Sequence, residues 1–351
     1  MSRKIRILHV LKSSIYSGAE NIVISIIKQL GKNFDLLYLA SEGSIRERLD
    51  EEKISFVLLE KFNRISLEYV LREYRPDIVH AHDFTATVIC ASLKGDFRLI
   101  SHLHYDPPWV NRWNAKTFVY SIFWKRIERV LVVSENMFQN MIFKEKFKDK
   151  MIVVGNPIDV ENIKQKANLK LLKDKEYCDL IFVGRLVYQK NPQRFIQLVA
   201  SLKENGWNSI SAWILGDGEL YFDCKELIDR LDLHENIKMR GFQDNPYPYI
   251  KHASIACITS RWEGFGLVAI EASMLGVPVL TTPNSGCREI FGEGAPEICD
   301  SDEMFIEKIL FLRNSLEEYR IWHDRSLEHS MRFNNMERYM GLLSCIYRNE
   351  V

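Results

Sequence analysis

The residues best suited to chemistry fall in two short stretches of the second half of the chain. In Val183-Gly184-Arg185-Leu186-Val187-Tyr188-Gln189-Lys190-Asn191-Pro192, two cations lie five residues apart in a loop that follows an apolar run and precedes a helical pattern. Arg185 and Lys190 placed in this way can converge on one anion, and a departing diphosphate needs such fixed positive charge. In Ser260-Arg261-Trp262-Glu263-Gly264-Phe265-Gly266-Leu267-Val268-Ala269-Ile270-Glu271, Gly264 and Gly266 permit a tight turn into a helix, whose first N–H groups lack partners and suit a phosphate. Glu263 before that helix and Glu271 inside it are acceptor-only groups that suit the hydroxyls of a sugar and a ribose. For any one of these residues alone, a solvated surface charge is the commoner account. Their position at the carboxyl ends of strands, where ligands bind in open α/β sheets, favours the functional one.

The first half offers weaker signals. Ser17-Gly18-Ala19-Glu20 follows the first apolar run as a small-residue turn opening a helix, but short turns of this kind often hold a glycine. Histidines pair at two strand ends, His80 with His82 and His102 with His104, each pair on one side of its strand. A zinc site would need a third ligand at recognisable spacing, and none is visible, so the expectation is no metal. The dinucleotide fingerprint is missing after the first strand and again at Gly216-Asp217-Gly218, which disfavours NAD chemistry. Segment 109–150 interleaves Trp109, Trp113, Phe118, Tyr120, Phe123 and Trp124 with Arg112, Lys116, Lys125, Arg126, Lys144, Lys146, Lys148 and Lys150. Such a mixture suits a membrane surface or a lipid phosphate; a core helix with a solvated basic face fits equally well.

These residues need a scaffold, and the alternation of short apolar runs with helical patterns supplies it. Strands are expected at Ile5–Leu11, Leu36–Ala40, Phe56–Leu59, Ile78–Ala81, Leu99–His104, Val130–Val133 and Ile152–Val154. A second set follows at Leu180–Val183, Ser211–Leu215, Ile237–Arg240, Ala253–Ile258 and Val277–Thr281. Near-continuous apolar strands joined by helices predict parallel, doubly wound α/β sheets. The lysine-rich stretch 161–176 lacks a strand pattern and separates two nucleotide-fold domains, which we place at 1–165 and 166–325.

Composition narrows the function classes. A chain of 351 residues suits about two domains at the usual ~100–200 residues each. Its 47 Lys+Arg balance 47 Asp+Glu, so no global field draws it to nucleic acid. The seven cysteines are odd in number and widely spaced, as in a reduced, cytoplasmic protein. The run Ile5–Leu11 is too short for a secretory signal, and nothing approaches the ~18 apolar residues of a membrane span, so any membrane contact is peripheral.

Taken in order, these motifs resemble those of glycosyltransferase family 4, the large retaining group of GT-B fold. The match runs from Ser17-Gly18-Ala19-Glu20 through Asp77-Ile78-Val79-His80-Ala81-His82, Asn156-Pro157-Ile158-Asp159 and the Gly184 to Asn191 loop. It continues through Gly216-Asp217-Gly218, Gly241-Phe242, the Glu263 to Glu271 motif and Gly276-Val277-Pro278-Val279. The resemblance implies two Rossmann-like domains facing across a cleft, with the stretch from about 326 to 351, including Phe333 and Tyr339, returning to pack on the first. It implies that Arg185 and Lys190 hold the donor diphosphate, that Glu263 contacts the donor sugar and Glu271 the ribose, and that the turn Phe265-Gly266-Leu267 meets the phosphates. His104, rather than His102, resembles the family's histidine beside the sugar, and Gly18 its early phosphate or acceptor neighbour. Transfer in this family is retaining and metal-independent and uses no cofactor beyond the nucleotide-sugar. The stretch Asn245-Pro246-Tyr247-Pro248-Tyr249-Ile250 resembles bacterial members building capsule or O-antigen. The implied donor is therefore a UDP-linked hexose or N-acetylhexosamine, and the implied acceptor a lipid-linked glycan at the cytoplasmic face of the inner membrane.

Two rivals keep the same residues. A GT-B epimerase would convert a UDP-sugar without acceptor, whereas a non-catalytic binding subunit would hold the donor and turn over nothing.

Overall fold

The computed structural model describes residues 3–16, 18–105, 107, 109–169, 176–333 and 335–351. Ser17, the neighbour of Gly18 in the early motif, lies outside the described residues. The chain divides into two compact units, one of residues 1–157 and 336–351, the other of 158–335.

The first unit is built on seven strands: β1 (Arg6–Val10), β2 (Asp35–Ser41), β3 (Phe56–Leu59), β4 (Ile78–Ala81), β5 (Arg98–Leu103), β6 (Arg129–Val132) and β7 (Met151–Val153). They pair in the order β3-β2-β1-β4-β5-β6-β7, every pair parallel. The chain winds outward from β1 in one direction and, from β4, in the other. The boundary between β1 and β4 is therefore the topological switch point, where loops on either side diverge and leave room for a ligand. Side chains such as Ile7, Leu8, Val79, Leu99 and Leu131 are fully buried, because a parallel sheet carries helices on both faces.

The second unit has five strands: β8 (Cys178–Val183), β9 (Ala212–Leu215), β10 (Ile237–Gly241), β11 (Ala253–Ile258) and β12 (Val279–Thr281). Their order is β10-β9-β8-β11-β12, again all parallel, with its switch point between β8 and β11. Phe195, Ile196, Val199 and Leu202 recur at helical spacing along the helix Pro192–Glu204 and are fully buried. They pack with Leu180, Phe182 and Ile214 of the sheet in one apolar core.

Two boundaries differ from the sequence reading. The first division falls after Pro157 rather than at 165/166, because the polar stretch opens with a helix, Val160–Ala167, that belongs to the second unit. The last division falls at Met336 rather than 326, since the helix Leu316–Met331 packs on the helix Leu267–Met274 of the second unit. Phe333 accordingly meets Phe265 within the second unit, whereas Tyr339 is buried in the first. The final helix, Met336–Arg348, is fastened inside the first unit by Arg98, which donates to the carbonyls of Ile346 and Tyr347 while paired with Glu128 at 2.6 Å. All seven cysteines are free thiols.

Candidate active site

In the second unit the loops leaving β8 and β11, neighbours across the switch point, are sewn together by backbone and side chain. Asn191 adopts the left-handed conformation (φ 52°) and Pro192 starts the following helix, so the chain turns sharply just after Lys190. The Thr259 hydroxyl donates to the Asn191 carbonyl at 2.9 Å, and the Arg261 amide donates to the Gln189 carbonyl at 2.8 Å. The result brings Lys190 against Glu263: its ammonium donates to Oε1 at 2.6 Å and Oε2 at 2.8 Å. Ser260 donates to the same Oε1 at 2.6 Å, and Ser285 fixes the Glu263 carbonyl at 3.0 Å. Glu263 is buried, and a buried charge requires partners of this kind.

Gly266 caps the helix Leu267–Met274 in a left-handed conformation (φ 78°), and a Cβ there would press on Ile290 and Cys287. No side chain caps this helix; its first internal bond runs from the Ala269 amide to the Gly266 carbonyl, which leaves the Leu267 and Val268 amides without a partner inside the helix. Gly264 does not share the left-handed conformation, so of the two glycines only Gly266 makes the turn. The Phe265 side chain faces inward, edge to face with Phe333 at 5.7 Å, so only its backbone is available to a ligand. Glu271 receives the Tyr247 hydroxyl at 3.2 Å; burial pushes its carboxyl up from the ordinary range, while Tyr247 and the charges of Lys190 and Lys166 pull it back. Arg185 is exposed on the same loop as Lys190 and, among the described residues, holds no ion pair.

Three glycines let these strand ends stack. Gly184 donates to the Leu215 carbonyl, Gly216 donates to that of Gly241, and a Cβ on Gly216 would lie 1.9 Å from the Gly184 carbonyl oxygen at a φ of +139°. Gly216→Ala should therefore displace the Arg185 loop and cost on the order of 3 kcal/mol. Gly206→Ala meets open space, has only its positive φ to strain it and should cost about 1 kcal/mol. Urea midpoints of the two variants check the difference, and equal shifts would show that the stacking is not tight.

In the first unit Gly18 is exposed at the start of the helix Gly18–Leu30. The histidines form a larger group than the two pairs visible in sequence, because β1 adds His9, directly opposite His80 in register. All five imidazoles lie on one sheet face: His80 stacks on His82 at 4.1 Å and His102 on His104 at 4.0 Å. His102 is fully buried, whereas His104, just past the end of β5, keeps some exposed surface. Burial holds every ring below the ordinary imidazole range, His9 and His104 at about 3. Two three-histidine sets, His9-His80-His82 and His82-His102-His104, bring nitrogens within 4.8 Å of one another, the third ligand that the sequence lacked. Neither contains a carboxylate, so an ion held there would have three neutral imidazoles as its protein ligands.

The geometry agrees with what the chain is similar to. Residues 138–327, just over half of it, match the family described as Glycosyl transferases group 1, and residues 16–162 match Glycosyltransferase Family 4. A Campylobacter jejuni N-acetylgalactosamine-N,N'-diacetylbacillosaminyl-diphospho-undecaprenol 4-alpha-N-acetylgalactosaminyltransferase is 28% identical over 303 residues, 79% of this chain and 80% of that one. An Escherichia coli UDP-Gal:alpha-D-GlcNAc-diphosphoundecaprenol alpha-1,3-galactosyltransferase is 26% identical over 311 residues, 81% of this chain and 80% of its own. The crystal structure of Anabaena HepE with UDP-glucose superposes with a TM-score of 0.82 at 20% identity, covering 96% of this chain and 99% of that one. With two parallel sheets in the GT-B manner and both family signatures in order, the chain belongs to the group 1, family 4 glycosyltransferases.

Proposed function

We propose that the second unit grips the diphosphate of a UDP-linked hexose or N-acetylhexosamine and that the sugar passes, with retained configuration, to a lipid-linked glycan of a surface polysaccharide. The observation that carries this reading is the Lys190–Glu263 pair at a switch point beside an uncapped helix start. Lys190 and Arg185 would meet the phosphates together with the Gly266 and Leu267 backbone. Glu263, already neutralised by Lys190, would orient donor-sugar hydroxyls, and Glu271 the ribose. His104 and Gly18 are assigned to the sugar and acceptor side. The anomeric C–O bond to phosphate breaks, the acceptor oxygen bonds on the same face, and the leaving phosphate oxygen takes the acceptor proton. Fixed cations supply the charge stabilisation that a metal provides elsewhere, so the reaction needs no metal and no cofactor. The donor class and the lipid-linked acceptor are supported by the names of the two bacterial relatives and by UDP-glucose in the Anabaena structure.

Thermal shift with UDP-, GDP- and ADP-sugars tests the donor: a UDP-sugar at 100 times its Kd should stabilise the chain by about 2.7 kcal/mol. Transfer to a polyprenyl diphosphate glycan, unaffected by chelator, would complete the case. Isomerisation without acceptor would instead mark an epimerase, and binding without turnover a binding subunit.

No helix among the described residues is long and apolar enough to cross a membrane. The helix Ala115–Ile122 nonetheless presents Phe118 and Ile122 to solvent, 59% and 51% exposed, beside Trp113 and Trp124. Lys116, Lys125, Lys146 and Lys150 lie over the Trp109, Trp124, Trp113 and Trp124 rings. Tyr120 packs inward instead, and Arg126 is committed to the Phe97 ring and the Phe97 carbonyl. This patch would hold the enzyme at the cytoplasmic face of the inner membrane. At about 1 kcal/mol per surface charge, K116Q with K125Q should weaken binding to anionic vesicles by ~30-fold. Unchanged co-sedimentation would remove the membrane from the proposal.

A further inference from the structure

The carboxylate of Glu263 offers four lone-pair sites, and its neighbours fill three of them. The Lys190 ammonium donates to Oε1 at 2.6 Å and to Oε2 at 2.8 Å, and the Ser260 hydroxyl donates to Oε1 at 2.6 Å. Oε1 is therefore full. Oε2 keeps one lone pair and Lys190 keeps the third of its N–H groups, with no further partner for either among the described residues. The Glu263 and Lys190 side chains retain 9% and 20% of their surface, so a ligand can reach the pair. Ser260, at 2% exposed, is closed to one.

Nothing in the glutamate itself makes its two oxygens different. The last torsion of the side chain is broad and roughly two-fold, so a carboxylate gripped by Lys190 alone turns between equivalent states. The main chain around it is already fixed. The Thr282 hydroxyl donates to the Ser260 carbonyl at 2.5 Å, the Ser285 hydroxyl to that of Glu263 at 3.0 Å, and Gln189 Nε2 to that of Trp262 at 3.0 Å. The turn 260–263 is thus tied to the loops that leave β8 and β12, and the Ser260 hydroxyl carries that rigidity on to the carboxylate. We propose that Ser260 is a positioning residue: by filling Oε1 it reserves Oε2 as the single acceptor for one hydroxyl of the donor sugar. The proposal rests on the assignment of Glu263 to donor-sugar hydroxyls given above. It adds that Glu263 reads one hydroxyl rather than a pair, and that a buried serine three residues before it sets which oxygen does so.

The test is calorimetric titration of the full chain with UDP and with the UDP-sugar that stabilises it, since UDP carries the phosphates without the sugar. Ser260→Ala should weaken the UDP-sugar by about 10-fold, the scale of a hydrogen bond to a charged group, and leave UDP within about 2-fold of the parent. Ser260→Thr, which keeps a hydroxyl, should bring the UDP-sugar back to within about 3-fold. Among monodeoxy UDP-sugars, the one that lacks the hydroxyl on Oε2 should bind the parent about 10- to 100-fold more weakly. That loss should shrink to about 3-fold in Ser260→Ala, whose carboxylate turns freely. Should Ser260→Ala fail to fold, as urea midpoints would show, Ser260→Cys carries the same comparison, because a thiol is a weak donor of similar size. Equal weakening of UDP and UDP-sugar would make Ser260 a merely structural residue and overturn the proposal, as would an unchanged monodeoxy pattern. Binding of no UDP-sugar at all would sink the donor reading itself, whereas the same ratio of UDP-sugar to UDP affinity in every Ser260 variant would sink only the role given to Ser260.

Discussion

Arg185→Ala and Lys190→Ala each lower turnover by ~100-fold or more, the scale of removing one preorganised charge from a developing anion. The two variants differ in everything else. Arg185 is exposed and unpaired among the described residues, so its loss leaves the urea midpoint where it was and the defect is purely kinetic. Lys190 neutralises the buried Glu263 through two bonds of 2.6 and 2.8 Å, so its removal strands a carboxylate whose one other side-chain partner among the described residues is Ser260. Breaking a buried pair costs about 3–5 kcal/mol, and partial exposure of Lys190 places this case at the low end. Lys190→Arg keeps the charge and should recover part of both losses, incompletely, because the broad planar fork does not replace a compact point charge. Steady-state rates with a UDP-sugar, measured beside denaturation midpoints, separate the two effects. Full activity in Arg185→Ala would remove this loop from the donor site.

The second large effect is on stability in acid. Unfolded, each imidazole takes a proton near pH 6.5; folded, His9 and His104 stay neutral down to about pH 3, and burial holds His80, His82 and His102 well below 6.5 as well. Below pH 6.5 the unfolded chain therefore binds more protons, and stability falls as pH drops from 6.5 toward 3; above 6.5 these groups contribute no pH dependence. Each histidine held neutral contributes a slope of about 1.4 kcal/mol per pH unit, so His9 and His104 alone remove on the order of 4 kcal/mol by pH 5, and His80, His82 and His102 act in the same direction. That is a large share of the whole stability of a domain, ~5–15 kcal/mol. Amide exchange should show the first unit losing protection between pH 6.5 and 5 while the sheet of the second unit keeps it. His102→Phe, which replaces a ring that has no hydrogen-bond partner among the described residues, should lessen the slope. Equal protection of the first unit at pH 7.5 and pH 5 would show that the array is not neutral when folded.

How much of this was legible beforehand depends on how local each feature is. The alternation of apolar runs located every strand used here to within a few residues, and two nucleotide-fold domains followed from it. Arg185, Lys190, Glu263 and Gly266 were visible because loop composition at a strand end is itself a local signal. Domain edges were not, since a helix such as Val160–Ala167 reads the same whichever unit it joins. Phe265 reads as part of a turn because its neighbours are glycines, and only the fold shows that its ring packs on Phe333 and leaves its backbone as the part open to a ligand.

The sequence by itself determined the elements, their parallel pairing and the chemical inventory of the loops, because periodicity and turn residues act over a handful of positions. Tertiary structure alone decided which inventory meets. Lys190 and Glu263 are 73 residues apart, and His9 and His82 are also 73 apart, yet each pair is in hydrogen-bond contact. The reason is physical: strands that meet at a switch point are joined through long crossovers, and their register is set by the packing of whole helices against the sheet, which no short stretch of chain encodes.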